Sequence, residues 1–334
     1  MENARNLTLL ASLTEQAGDI VIITHEHPDG DAAGSSSALY EYLRFRGKTS
    51  VAIVREELPQ TLAFIDPAST VYGEEALGAI AKADLIFCTD FCDPARCGYP
   101  AEALLASKAK KVLFDHHVGP QEDKFDLVFS RTDISSASEL VYYILKGLCA
   151  DERERKALFS GRCGFCLMCG MTTDTNNFSC ATFPSTLQMA GELLSYGVDR
   201  DYIISEIYNR YRENRVRAFA YILSDQLSIR EDGIAVIKVS RETWHRFGLK
   251  EGELENLVNV PLSIDKVKVS IYLREDTDTV RVSIRSKKGW SARDLAGKYF
   301  HGGGHELASG GKLRLGQDIA RFEDLDGYLE KVTL

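Results

Sequence analysis

At 334 residues the chain is long for one hydrophobic core and fits two domains of ordinary size. Hydrophobic residues at 44% and charged residues at 27% exclude a disordered or fibrous chain, and no run approaches the ~20 apolar residues of a membrane helix. A net charge of −9 argues against a protein that coats long nucleic acid, because that affinity comes from neutralising many phosphates.

In chain order, the Leu-rich N-terminal stretch lacks the pattern of a signal peptide, so a cytoplasmic protein is expected. Short β-branched runs at 20–24, 48–54, 85–89, 112–114 and 127–129 alternate with helical stretches. This is the rhythm of an α/β fold, a mostly parallel sheet with helices on both faces. Apolar spacing predicts a helix over 35–45, ended by Gly47, and Ser136 with Glu139 reads as a capping box opening a helix over 140–148. From 184 to about 224 the pattern is helical and increasingly basic.

Beyond it, 226–230 and 234–239 flank Glu231-Asp232-Gly233 as a hairpin, and 267–273 and 279–285 alternate around another acidic turn. The last third is therefore a smaller α+β domain with antiparallel pairing. Six basic residues (Arg281, Arg285, Lys287, Lys288, Arg293, Lys298) stand against Asp294 alone between 281 and 300, a balance suited to a small anion.

Cys163, Cys166 and Cys169 form C-x-x-C-x-x-C, but no fourth ligand stands at suitable spacing. Residues 165–171 read as a buried run of small and apolar side chains in which cysteine is a small hydrophobe. Cys92 and Cys97, beside Asp90, are unexplained by mechanism and read as packing or chance.

The chemistry gathers where apolar segments end. The first strand runs into His25-Glu26-His27-Pro28-Asp29-Gly30-Asp31, the third into Asp90, the fourth into Asp115-His116-His117, and a later apolar stretch ends in Thr172-Thr173-Asp174-Thr175. A parallel sheet would converge these ends on one edge, the place where open α/β sheets bind ligands. Clustered carboxylates and imidazoles repel and desolvate one another unless a cation joins them, and the oxygen and nitrogen donors suit Mn²⁺. Asp93 competes with Asp90, but Asp90 follows its strand without a gap. Ser35 and Ser36, at the start of the predicted helix, could offer backbone N–H groups to an anion.

This ordered set, with Gly302-Gly303-Gly304-His305 near the C-terminus, resembles the DHH phosphoesterase family with its DHH-associated C-terminal domain. The likeness covers nearly the whole chain and is nearest to stand-alone bacterial enzymes that degrade very short RNA and dephosphorylate 3′-phosphoadenosine 5′-phosphate. It implies a catalytic metal-binding domain at 1–184, a helical linker at 185–224 and a substrate-binding domain at 225–334. It further implies two divalent ions per chain, Mn²⁺ first among candidates, one held by His25, Asp29 and Asp90. Asp31, Asp90, His116 and Asp174 would hold the other. On this resemblance Asp90 would bridge the ions, which would share an activated water, and Asp31 and Asp90 would be catalytic. Asp115 would orient an imidazole, while His117 would face the phosphate and stabilise charge or protonate the leaving oxygen. Arg285, Ser286, Gly302, Gly303, Gly304 and His305 would bind substrate.

Two positions depart from the family pattern: His301 where another glycine is common, and Leu307 where Asn is common. The expected partners are short RNA and small phosphorylated nucleotides, neither long nucleic acid nor membrane. Two alternatives stand beside this: a phosphodiesterase for cyclic di-AMP or its linear product, and a nucleotide-binding module without catalysis. An inorganic pyrophosphatase of the family lacks this glycine–histidine loop, and a RecJ-type exonuclease needs a longer chain. Pairing of two copies as a homodimer is left open.

Overall fold

The β-branched and aromatic runs of the first half pair into one parallel sheet: β1 (Asp19–Ile23), β2 (Ser50–Val54), β3 (Thr70–Val71), β4 (Leu85–Thr89), β5 (Lys110–Asp115) and β6 (Leu127–Ser130), in the order β3-β2-β1-β4-β5-β6. The computed structural model describes residues 4–59, 61–67, 69–254 and 256–334. Because strand side chains alternate, Ile20, Ile22, Phe87, Val112 and Phe114 enter one core and Val21, Ile23, Ile86, Cys88 and Leu113 the other. Both sheet faces are therefore buried, as a parallel sheet requires.

Helices α1 (Ala4–Gln16), α2 (Gly30–Phe45), α3 (Gly73–Lys82), α4 (Ala101–Ala106), α5 (Ala137–Leu148), α6 (Glu152–Phe159), α7 (Arg162–Asp174), α8 (Pro184–Ser195) and α9 (Arg200–Tyr208) complete the first unit. Strand order reverses between β1 and β4, whose carboxyl ends therefore border the crevice where such sheets bind ligands.

Two elements differ from the sequence expectation. The helix expected over 35–45 begins at Gly30, because Asp29 caps it by accepting from the amides of Asp31 and Ala32 at 3.0 and 3.1 Å. Ser35 and Ser36 consequently lie inside α2, fully buried, with both hydroxyls donating back to the Ala32 carbonyl. They offer no amides to an anion.

The buried cysteine run is helix α7, so the fourth apolar segment is delivered by a helix and not by a strand. Cys163, Cys166 and Cys169 are all buried and free. Small residues are needed there because α2 and α7 touch backbone to backbone: a Cβ on Gly34 would stand 2.6 Å from the Cys166 carbonyl oxygen and 2.8 Å from Gly170 Cα.

The chain divides into two compact units between Arg210 and Tyr211, within the helical stretch 185–224. The second holds α10 (Glu213–Tyr221), β7 (Leu227–Ile229), β8 (Ile234–Val239), α11 (Arg241–Arg246), β9 (Val269–Glu275), β10 (Thr279–Ser286), α12 (Ala292–Tyr299), β11 (Gly303–Gly304), β12 (Ala308–Arg314) and α13 (Leu325–Leu329). Its sheet runs β11-β12-β10-β9-β8-β7 and is mixed, with β8 and β9 parallel and the other pairs antiparallel. The two expected hairpins are β7–β8 and β9–β10. Among the described residues no helix is long and apolar enough to cross a membrane.

Candidate metal centre

The loops after β1, β4 and β5 and the end of α7 bring together the residues singled out in sequence. Asp90 stands at their middle. Its Oδ2 lies 3.5 Å from His25 Nε2 and its Oδ1 3.5 Å from His116 Nε2, so each oxygen faces a different imidazole. Asp29 Oδ1 is 3.9 Å from His25 Nε2; Asp31 Oδ2 and Asp174 Oδ2 are 3.9 and 3.6 Å from His116 Nε2. Donor atoms of His25, Asp29 and Asp90 fall within 4.8 Å of one another, and so do those of Asp31, His116 and Asp174 and those of Asp90, His116 and His117. The competing Asp93 is elsewhere, capping the short turn Pro94–Cys97 through the Ala95 amide.

The backbone holds these ligands in place. Asp90 adopts φ +66°, a left-handed conformation that costs a non-glycine residue roughly 1–2 kcal/mol, while its amide extends the sheet by donating to the Phe114 carbonyl at 2.9 Å. The buried Asp31 carboxylate accepts from the first amides of α5, Ala137 N at 2.6 Å and Ser138 N at 2.9 Å. His25 Nδ1 donates to the Glu26 carbonyl at 2.8 Å, which leaves Nε2 for a ligand. After Asp174 the chain turns through three left-handed residues, Asn176, Asn177 and Phe178. Arg200 fixes that turn by donating to Asn177 and stacking over the Phe178 ring.

Electrostatics decide what this cluster tolerates. Burial pushes the Asp31 carboxyl up to about 7, and the Asp90 charge adds to it. Asp174 is 29% exposed but closely surrounded, and desolvation together with Asp31 raises it well above the usual carboxylate range. Burial would lower His25 and His116, but the Asp90 carboxylate and the other acids outweigh it and raise them to about 9 and about 10. The same two imidazoles overcome desolvation at Asp90 and pull it far below the ordinary range. Cations placed among these groups would remove the conflict. Oxygen and imidazole donors without thiolate fit a divalent ion of the manganese or magnesium kind, and the residues present therefore fit such ions.

Asp115 accepts from His117 Nδ1 at 2.7 Å, the orienting contact expected of it, while its Oδ2 is buried with no partner among the described residues. Sequence reasoning missed Arg96, whose Nη1 lies 3.2 Å from His117 Nε2. Nothing but its nearness to Asp90 could have flagged it, since an arginine in a loop is commonplace.

In the second unit, the end of β10 lies beside the glycine–histidine loop: Arg285 pairs with Ala308, and the Ser286 amide donates to the Leu307 carbonyl at 3.0 Å. Gly303, Gly304 and His305 are exposed. Ser286 is buried, and its hydroxyl donates to the Trp290 carbonyl at 2.7 Å. The Gly302 amide donates to Ala296, and a Cβ there would come within 1.9 Å of the Gly310 carbonyl oxygen, so packing explains this glycine. His301 occupies a left-handed position, φ +48°, which accounts for glycine as the common residue, and its Nε2 meets Asp318 Oδ1 at 3.0 Å.

Residues 19–171 match the N-terminal domain of the DHH family, and residues 231–330 match the DHHA1 domain. The chain is 30% identical over 302 residues to the bifunctional oligoribonuclease and PAP phosphatase NrnA of Bacillus subtilis (strain 168), covering 88% of this chain and 89% of the relative. It is also 30% identical to the protein of the same name from Thermus thermophilus, over 95% of this chain and 91% of that one. Among solved structures it resembles an exopolyphosphatase-related protein of Bacteroides fragilis, with a TM-score of 0.89 at 32% identity, covering 98% and 96% of the two chains.

Proposed function

We propose that this chain, which belongs to the DHH family, hydrolyses very short RNA oligonucleotides to mononucleotides and 3′-phosphoadenosine 5′-phosphate to AMP. One observation carries the hydrolytic part of this reading, whose substrates follow the relatives' names: Asp90 turns one carboxylate oxygen to each of two imidazoles and so joins two groups of ligand atoms at the carboxyl edge of the sheet. His25, Asp29 and Asp90 would hold one divalent ion and Asp31, Asp90, His116 and Asp174 a second, with Mn²⁺ favoured by the two imidazoles among the oxygens. When bound, such ions lower the pKa of a water and neutralise the charge that gathers at phosphorus.

The chain's own groups do the rest. The amides of Ala137 and Ser138 hold Asp31 in one orientation, so its carboxylate needs no reorganisation when the substrate arrives. Asp115 fixes the ring of His117 beside the cluster, in position to hydrogen-bond a phosphate oxygen. In the second unit, Arg285, His305 and the exposed Gly303–Gly304 backbone form the recognition surface for the nucleotide phosphate. Ser286 and Gly302 support that surface from within. Buried thiols such as Cys88, Cys163, Cys166 and Cys169 suit a reducing compartment, the cytoplasm.

The test is side-by-side incubation of the purified protein with Mn²⁺ and 3′-phosphoadenosine 5′-phosphate, a labelled RNA dinucleotide, a long RNA and cyclic di-AMP. Turnover of the two small linear substrates with the long RNA spared is the expected result. Faster turnover of cyclic di-AMP would keep the metal centre and replace the substrate. Nucleotide binding without hydrolysis of any of the four would make the chain a binding module.

A further inference from the structure

Five carboxylates (Asp29, Asp31, Asp90, Asp115 and Asp174) meet at the carboxyl edge of the parallel sheet. A phosphate ester brings further negative charge to that edge, and divalent ions held by the acids are largely neutralised by them. Positive charge fixed by the protein itself is then needed, and a guanidinium stands there. Arg96 Nη1 donates to His117 Nε2 at 3.2 Å, and the residue is exposed to solvent. Among the described residues Arg96 forms no ion pair with a carboxylate.

Its backbone, by contrast, is firmly held. The Arg96 amide donates to the Asp93 carbonyl at 2.9 Å, its carbonyl accepts from the Glu26 amide at 2.7 Å, and its neighbours Pro94 and Cys97 are buried. The turn after β4 is thus tied to the ligand-bearing loop after β1, and the guanidinium projects from a rigid base.

The contact also fixes the neighbouring ring. Arginine has donors only, so His117 Nε2 must accept, and the ring proton sits on Nδ1, facing Asp115 Oδ1 at 2.7 Å. His117 Nε2 is thus engaged by Arg96 and faces a phosphate oxygen only once the guanidinium has left it. The positive charge beside it belongs to Arg96.

We infer that Arg96 is a phosphate-binding residue of the first unit, its guanidinium moving from His117 onto the non-bridging oxygens of the phosphate that the centre works on. The inference rests on the reading that this centre takes a phosphate ester, and it adds the residue that supplies the fixed charge. A fork of planar donors suits two phosphate oxygens, which an ammonium cannot match.

The experiment is calorimetric titration of inorganic phosphate into the Mn²⁺-loaded protein, comparing the wild type with Arg96→Ala and Arg96→Lys. Manganese binding and thermal midpoint are measured on the same samples. Arg96→Ala should weaken phosphate binding about tenfold or more, Arg96→Lys by less, with manganese binding and thermal midpoint unchanged. Phosphate binding by Arg96→Ala within about twofold of the wild type overturns the inference, as does wild-type protein that takes up no phosphate. Parallel loss of manganese from Arg96→Ala also overturns it, because Arg96 would then merely prop the loops. Since the probe is phosphate and not a nucleotide, failure of the proposed substrates leaves this outcome readable.

Discussion

Asp90 is the residue on which the centre turns. Its oxygens stand 3.5 Å from His25 and from His116, and a left-handed backbone presents them there. Asp90→Asn preserves shape and removes charge, so the expected result is a fall in kcat of about a thousandfold or more, since several kcal/mol of charge stabilisation go with it. Metal analysis of the same variant should find fewer ions per chain than in the wild type, and unchanged metal content with unchanged kcat would remove Asp90 from the bridging role. At this scale the sequence was informative wherever a strand ran straight into a charged residue, as at His25, Asp90 and His116, because the strand's direction decides where the next side chain lands. It was silent on Arg96, whose place depends on a loop folding back to β1, and on the hydroxyl of Ser286, which is turned inward to Trp290.

The element that matters most to Asp31 is α5, whose first amides grip its carboxylate. Ser136 caps that helix by accepting from the Glu139 amide at 3.0 Å. The Glu139 side chain, however, returns to the amide of Ser135 at 3.0 Å, not to that of Ser136, and also accepts from Thr186 at the start of α8 at 2.7 Å. Sequence spacing revealed the cap but could not show that the capped end points at a buried carboxylate. Ser136→Ala should cost about 1 kcal/mol, the usual loss of a cap, seen as a lower denaturant midpoint. It should also raise the Mn²⁺ concentration for half-maximal activity, since fraying α5 loosens Asp31. A stability loss without any change in manganese dependence would show that the amides do not position the ligand. Helix α7 was harder to read, because a run of small and apolar residues fits a buried strand as well as a buried helix. Backbone contact between Gly34 and Gly170 decides for the helix, and it exists only once α2 is in place.

For the whole molecule, the centre stores a conflict that pH and metal should expose together. In the metal-free protein His25 and His116 are raised to about 9 and about 10 and Asp31 to about 7, so the folded state binds protons that the unfolded chain would release. A group raised in this way contributes stability that is complete below its unfolded value and is lost as pH climbs through its folded one. For Asp31 that window lies between about 4 and about 7, and for the two histidines between about 6.5 and about 10. Metal-stripped protein should therefore lose thermal stability steadily from pH 6 to 10. Divalent ions need the same groups without their protons, so binding must release protons and strengthen with pH. The gain in thermal midpoint on adding Mn²⁺ should accordingly grow between pH 6 and 9, and calorimetry in buffers of different ionisation enthalpy should register proton release. A manganese-induced gain independent of pH would mean that the ions do not displace protons from His25, His116 and Asp31, and the ligand assignment would have to move away from these residues.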